Sequence, residues 1–206
     1  MISDLLHFCS ILSTIVFKFV IILQFQQIRY IKMKLVVAIT GASGVDLAKR
    51  FIEYLPLDID VHVVVSNNAL TVESFENREI TLHSSENIAS SISSGSFGVD
   101  ITVVIPCSMN TLAKIACGIS DNLPTRVASV AIKEQKKLLL APRELPFSAI
   151  ALENMHKLAS LGVIIAPPVV GYYAKANSVL DMERFIIGKW YDVLGIENDL
   201  YQRWGE

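Results

Sequence analysis

Cysteine is scarce in this 206-residue chain: Cys9, Cys107 and Cys117 are the full complement. Three is too few and too odd a number for a disulfide framework. The four histidines (His7, His62, His83 and His156) form no HxxxH or HExxH pair and no CxxC occurs, which argues against a structural zinc site. Charge of one sign is lacking too. Lys and Arg number 18 against 20 Asp and Glu, a net charge of −2, so no broad basic surface and no nucleic-acid partner is expected. Charged residues make up only 18% and hydrophobic ones 52%, which excludes a disordered chain and suits one domain with a sizeable core. There is no internal repeat.

A simple membrane span, about 20 apolar residues long, is also missing. The nearest approach, Ile11–Phe25 (ILSTIVFKFVIILQF), is short and carries Lys18 in its middle. A signal peptide is a poor match, because the charges follow the apolar run and no A-x-A site comes after it. Residues 1–32 therefore stand apart as an apolar extension. Three readings stay open: membrane attachment, an ordered extra helix, or translation that really begins at Met33. The domain proper is 33–206, or 206 − 32 = 174 residues.

From Met33 onward, short aliphatic runs alternate with helical patterns. Leu35–Ile39, Val61–Val65, Ile101–Ile105, Leu138–Ala141 and Val163–Ala166 are five strand candidates, continuous rather than alternating, as befits strands covered on both faces. Helical segments are predicted around 45–55, 68–76, 110–134 (broken by Gly and Asn between Ala116 and Leu123), 147–161 and 179–194. Leu152, Met155, Leu158 and Leu161 are expected to form one buried helix face. The alternation predicts an α/β fold: a doubly wound, mostly parallel sheet in a Rossmann-like, flavodoxin-related three-layer sandwich. Ligands in such folds bind beyond the carboxyl ends of the strands.

The residues that follow the strands carry most of the chemistry. Thr40-Gly41-Ala42-Ser43-Gly44 follows the first strand, where glycines permit a tight turn and helix amides with the Ser43 hydroxyl can hold a phosphate; a plain strand–helix turn is the alternative. Ser66-Asn67-Asn68 follows the second strand, with Glu76 ten residues after Ser66; Ser66 could simply cap the next helix, and for Glu76 the residues by themselves favour a solvated helix end. Ser90-Ser91-Ile92-Ser93-Ser94-Gly95-Ser96 suits a flexible loop, an anion site or a lid. Pro106-Cys107-Ser108-Met109-Asn110-Thr111 opens a helix with groups suited to the polar edge of a heterocycle or its phosphate, while Cys107 and Cys117 are expected to be small buried hydrophobes. Arg143 and Glu144, bracketed by Pro142 and Pro146, are presented in a defined direction and are poorly explained by packing. Tyr173 and Lys189 could together hold a phosphate, with loop packing for the tyrosine and a solvated helix face for the lysine as the alternatives.

In this order and spacing the segments resemble the UbiX-like flavin prenyltransferase family, once described as aromatic acid decarboxylases. The resemblance runs from Met33 to Trp204. Its most specific stretches are IASSISSGSF (88–97), PCSMNTLAKIACGISDNL (106–123), KE (133–134), PRELPFSAIALENMHKLASLG (142–162) and GYY (171–173). It implies an enzyme that joins the dimethylallyl group of dimethylallyl monophosphate to N5 and then C6 of reduced FMN, without a metal. It also implies a cytoplasmic homo-oligomer whose product, prenylated FMN, passes to a UbiD-type decarboxylase.

By that resemblance Gly41, Ala42, Ser43, Ser66, Ser108, Met109, Asn110, Thr111 and Arg143 match FMN-binding positions. Tyr173, Lys189, Arg126 and Lys133 match positions at the donor phosphate, and Ser43, Glu76 and Glu144 match positions in the chemistry. Lys189 departs from the family, which usually has arginine there; Asn67, Ala176 and Leu47 depart as well. Two rival readings are a cysteine-type flavoprotein decarboxylase, whose essential histidine has no obvious counterpart in this chain, and a flavin-binding module without turnover.

Overall fold

The structure is a computed structural model, and it describes residues 32–41, 43–65, 78–174, 176–203 and 205. The chain divides into two compact units, Met1–Lys32 and Met33–Glu206. Within the second unit the described strands are β1 (Lys34–Ile39), β2 (Asp60–Val65), β3 (Thr81–Ser84), β4 (Ile101–Cys107), β5 (Lys137–Pro142) and β6 (Ile164–Ile165). The helices are α1 (Val45–Glu53), α2 (Met109–Ala116), α3 (Leu123–Lys133), α4 (Ala149–Ser160) and α5 (Val179–Leu194).

The strands form one sheet in the order β3-β2-β1-β4-β5-β6, and every neighbouring pair is parallel. The chain steps outward on one side of β1, then returns to start again at β4, so the order reverses between β1 and β4. That reversal leaves a crevice beyond the strands' carboxyl ends. Side chains alternate across the sheet. Leu35, Val37 and Ile39 of β1 pack with Phe51 of α1 and Ile187 and Tyr191 of α5. Val36 and Ala38 face the other layer, with Leu112 of α2, Val127 of α3 and Leu158 of α4. Burial on both faces is why β1, β4 and β5 are continuous aliphatic runs.

Three expectations need correction. The sheet has a sixth strand, β3, which the sequence pattern hides because TLHS is short, mostly exposed and lies on an edge. The buried face of α4 is Ala151, Met155 and Leu158, whereas Leu152 and Leu161 are 53% and 60% exposed. A strict three-residue spacing drifts around a helix of 3.6 residues per turn, so the four-then-three spacing of 151, 155 and 158 is the one that stays on one face. Cys117 is exposed beyond the end of α2; Cys107 is buried as expected, and burial pushes its thiol up to about 12. The helix expected over 68–76 lies outside the described residues.

Candidate active site

At the point where the strand order reverses, the end of β1 is stitched to the end of β4. The hydroxyl of the buried Thr40 donates to the Pro106 carbonyl at 2.8 Å and accepts the Ser108 amide at 3.0 Å. Two helices start from this junction. α1 begins after Gly44, whose φ of 113° is left-handed and would strain any side chain, and among the described residues no side chain caps its first amides. α2 is capped by Ser108, whose Oγ accepts the Thr111 amide at 3.2 Å and lies 2.9 Å from the Thr111 hydroxyl. Gly41 and Ser43 are exposed, Met109 is half-buried against the core, and Asn110 is exposed. Two helix N-termini thus flank one crevice, an arrangement that favours an anionic group.

The end of β5 joins the same junction. The Arg143 amide donates to the Cys107 carbonyl at 3.3 Å, which sets Arg143 beside the residue preceding Ser108. Glu144 follows, with Oε1 accepting the Leu145 amide at 3.3 Å. Both side chains are exposed.

Past the end of β6 lies a cleft of about 370 Å³ between the 166–173 segment and α5. Phe185, Ile186 and Trp190 are its buried residues, and Tyr173 and Lys189 are exposed on its lining. Trp190 Nε1 donates to the Ala166 carbonyl at 3.1 Å, fixing one wall to the other. A Cβ on Gly171 would run into the Phe185 ring, so glycine lets the segment lie directly on that ring. Tyr173 meets Phe185 edge-on at 5.4 Å. Among the described residues, the cleft lining is apolar apart from Tyr173 and Lys189.

A model of the Flavoprotein family matches residues 26–191 of the chain. The flavin prenyltransferase UbiX of Helicobacter pylori strain J99 is 48% identical over 185 residues, spanning 84% of this chain and 99% of that relative. The chain belongs to the UbiX flavin prenyltransferase family. Solved structures agree. The crystal structure of AnUbiX (PadA1) in complex with FMN and dimethylallyl pyrophosphate matches with a TM-score of 0.78 at 34% identity, covering 85% of this chain and 98% of that one. A dodecameric FMN-dependent UbiX-like decarboxylase from Escherichia coli O157:H7 matches with a TM-score of 0.77 at 37% identity, covering 84% and 100%.

Among the residues that the sequence singled out as candidates, Gly41, Ser43, Ser108, Met109, Asn110, Thr111 and Arg143 gather around the β1–β4 junction, with Glu144 next to them in sequence. Tyr173 and Lys189, sixteen residues apart, share the cleft. Arg126 and Lys133 do not line it. Both lie on α3, where Arg126 Nε donates to the Ser93 carbonyl at 3.3 Å and Lys133 pairs with Glu134. Ala42, Ser66 and Glu76 lie outside the described residues. Thr40 holds the junction together, and nothing in its local sequence beyond its place before the glycines marks it out. Among the described residues no group of three or more His, Cys, Asp or Glu is placed to hold a metal.

Proposed function

We propose that the chain is a flavin prenyltransferase that joins the dimethylallyl group of dimethylallyl monophosphate to N5 and C6 of reduced FMN. The observation that carries this reading is the placing of two complementary sites on one carboxyl edge of one sheet: an anion-favouring junction at β1–β4, and an apolar cleft with Tyr173 and Lys189 beyond β6. Strands are about 4.8 Å apart, so β4 and β6 are separated by roughly 10 Å, a distance that a flat tricyclic flavin can bridge. The flavin fits the junction chemically, through uncapped amides at α1, the Arg143 cation and the open approach at Gly41. When bound, it supplies the nucleophilic nitrogen and ring carbon of the reaction.

The chain's own residues do the rest. Gly41, Ala42, Ser43, Ser66, Ser108–Thr111 and Arg143 hold the flavin and its phosphate. Tyr173 and Lys189 bind the departing phosphate, Lys189 supplying an ammonium from the cleft lining. The apolar walls exclude water and so protect a developing allylic cation. Glu144, with Glu76, takes and returns protons as the second bond closes, and Ser43 orients the reacting groups.

Leu145 and Tyr172 are 91% and 93% exposed, and Val169 and Val179 are exposed near them in sequence. Such apolar surface calls for cover, and further copies of the chain supply it in a homo-oligomer. Arg126 and Lys133 then serve the donor phosphate at a neighbouring copy's site. The product goes to a UbiD-type decarboxylase in the cytoplasm, with no nucleic acid involved. The active domain is 33–206; residues 1–32 are dispensable.

The deciding experiment incubates the protein with reduced FMN and dimethylallyl monophosphate, followed by mass spectrometry. A flavin carrying one C5 unit is expected. Unchanged FMN, with decarboxylation of a cysteinyl peptide in a parallel incubation, would overturn the reading.

A further inference from the structure

The edge strand β3 brings a histidine against a second one on β2. His62 Nδ1 and His83 Nε2 are 3.1 Å apart, and the rings lie 5.3 Å apart at 33°. The other nitrogen of His83, Nδ1, is 2.8 Å from the hydroxyl of the buried Ser90. Ser90 in turn starts the turn Ser91–Ser93: its carbonyl accepts the Ser93 amide at 3.0 Å, with Ile92 wholly buried between them. The Ser93 carbonyl is the acceptor for Arg126 Nε at 3.3 Å. A second tie anchors the same helix, because the amide of Leu123, the first residue of α3, donates to the Ser85 carbonyl at 2.8 Å just after β3.

Of the pair's four ring nitrogens, His62 Nε2 is buried without a hydrogen-bond partner among the described residues. Asp60 Oδ2 lies 3.5 Å from His62 Nε2, the Phe97 ring stands edge-on to His62 at 5.2 Å, and Lys34 Nζ covers Phe97 at 4.0 Å. Packing alone would be served as well by apolar side chains. His62 and Ser90 are buried and His83 half-buried, positions where polar groups cost free energy unless bonded, and a bonded chain fixes direction more than it adds stability. Its far end is a guanidinium. With Nε taken by Ser93, the fork of Arg126 is left with its two Nη groups for an anion, and their direction is set by the turn.

We infer that His83 is a positioning residue for the transfer reaction, acting through Ser90 on the turn whose Ser93 carbonyl aims Arg126. This rests on the reading of Arg126 as a ligand of the donor phosphate. It makes the serine-rich segment a bracket for a cation.

The test uses the full chain and starts with the unaltered protein, which must yield the C5 adduct; if it does not, the functional reading falls and this inference with it. The KM and kcat for dimethylallyl monophosphate and the affinity for FMN are then compared across variants. His83→Phe and Ser90→Ala should each raise KM about three- to tenfold, the range of one neutral hydrogen bond, with FMN affinity within about twofold. The double variant should be no worse than either alone. His83→Asn places an amide nitrogen where Nδ1 stood and should restore KM, while His83→Gln, which reaches toward His62 instead, should not. In an Arg126→Ala background His83→Phe should leave KM unmoved. A KM unaltered in both Ser90→Ala and His83→Phe, no rescue by asparagine, or a full effect without Arg126 would overturn the inference while the C5 adduct keeps the functional reading standing.

Discussion

Ser108 donates its amide to the Thr40 hydroxyl at 3.0 Å, across 68 residues of sequence, just past the point where ordinary strand pairing stops. The β1–β4 ladder runs from Leu35 opposite Ile101 to Ala38 opposite Val104. Beyond Val104 the register of β4 against β5 shifts, and Cys107 packs in the same layer as Val104, where strict alternation would put it in the opposite one. Thr40 takes over from the ladder there. It holds the starts of α1 and α2 in a fixed relation, and the flavin is proposed to sit between them.

Thr40→Val keeps the side chain's shape and removes the hydroxyl, leaving the Ser108 amide and the Pro106 carbonyl without this partner. The variant should lose about 1–3 kcal/mol of stability in chemical denaturation. It should also bind FMN about tenfold more weakly in a fluorescence titration. Unchanged flavin affinity in a folded variant would show that the junction does not form the flavin site.

Arg143 and Glu144 are adjacent yet should respond oppositely. Arg143→Ala removes the cation proposed to hold the flavin and should weaken FMN binding about 10- to 100-fold. Glu144→Gln should leave FMN binding unchanged and cut turnover by about 10²–10⁴-fold, the usual contribution of a general acid–base group. A loss below about tenfold would remove Glu144 from the proton transfers.

Lys189 is proposed to hold the donor phosphate with an ammonium where, by the family resemblance, an arginine is usual. An ammonium is a single mobile point charge, whereas a guanidinium grips phosphate through a planar fork. Lys189→Ala should raise the KM for dimethylallyl monophosphate about 10- to 100-fold, with FMN affinity unchanged. Lys189→Arg should give an equal or lower KM. If the alanine variant kept its KM, the phosphate would rest on Tyr173, Arg126 and Lys133.

Acid should weaken the fold through His83. Burial first, and the nearby His62 second, hold its imidazole below the ordinary histidine value. The unfolded chain, with a histidine near 6.5, then binds more protons than the folded one as pH falls. The His83 contribution is complete above about pH 6.5 and is lost as pH drops through the lowered folded value. The denaturation midpoint should fall on the acid side of pH 6.5, and His83→Asn should flatten that fall. Asp121 and Asp181, held low by Lys114 and Ser178 respectively, titrate in a separate and more acidic window. A midpoint independent of pH between about 7 and 5 would contradict this account.

The sequence by itself determined the fold class, because runs such as Leu35–Ile39 and Ile101–Ile105 have no polar face to offer and must be covered on both sides. It also pointed to the residues that follow the strands, since Gly41, Ser108 and Arg143 come within three residues of the ends of aliphatic runs read as strands. Local pattern reports whether a residue is buried, but not what buries it. The tertiary structure alone decided that the sheet order reverses between β1 and β4, that the short edge strand β3 exists, and that α4 buries Ala151 in place of Leu152. It decided too that Tyr173 and Lys189 share one cleft while Arg126 and Lys133 lie apart on α3, and that His62 meets His83 across 21 residues. Each of these depends on which crossover lays which segment alongside which, and that is set by packing of the whole chain, where no short window of sequence carries the information.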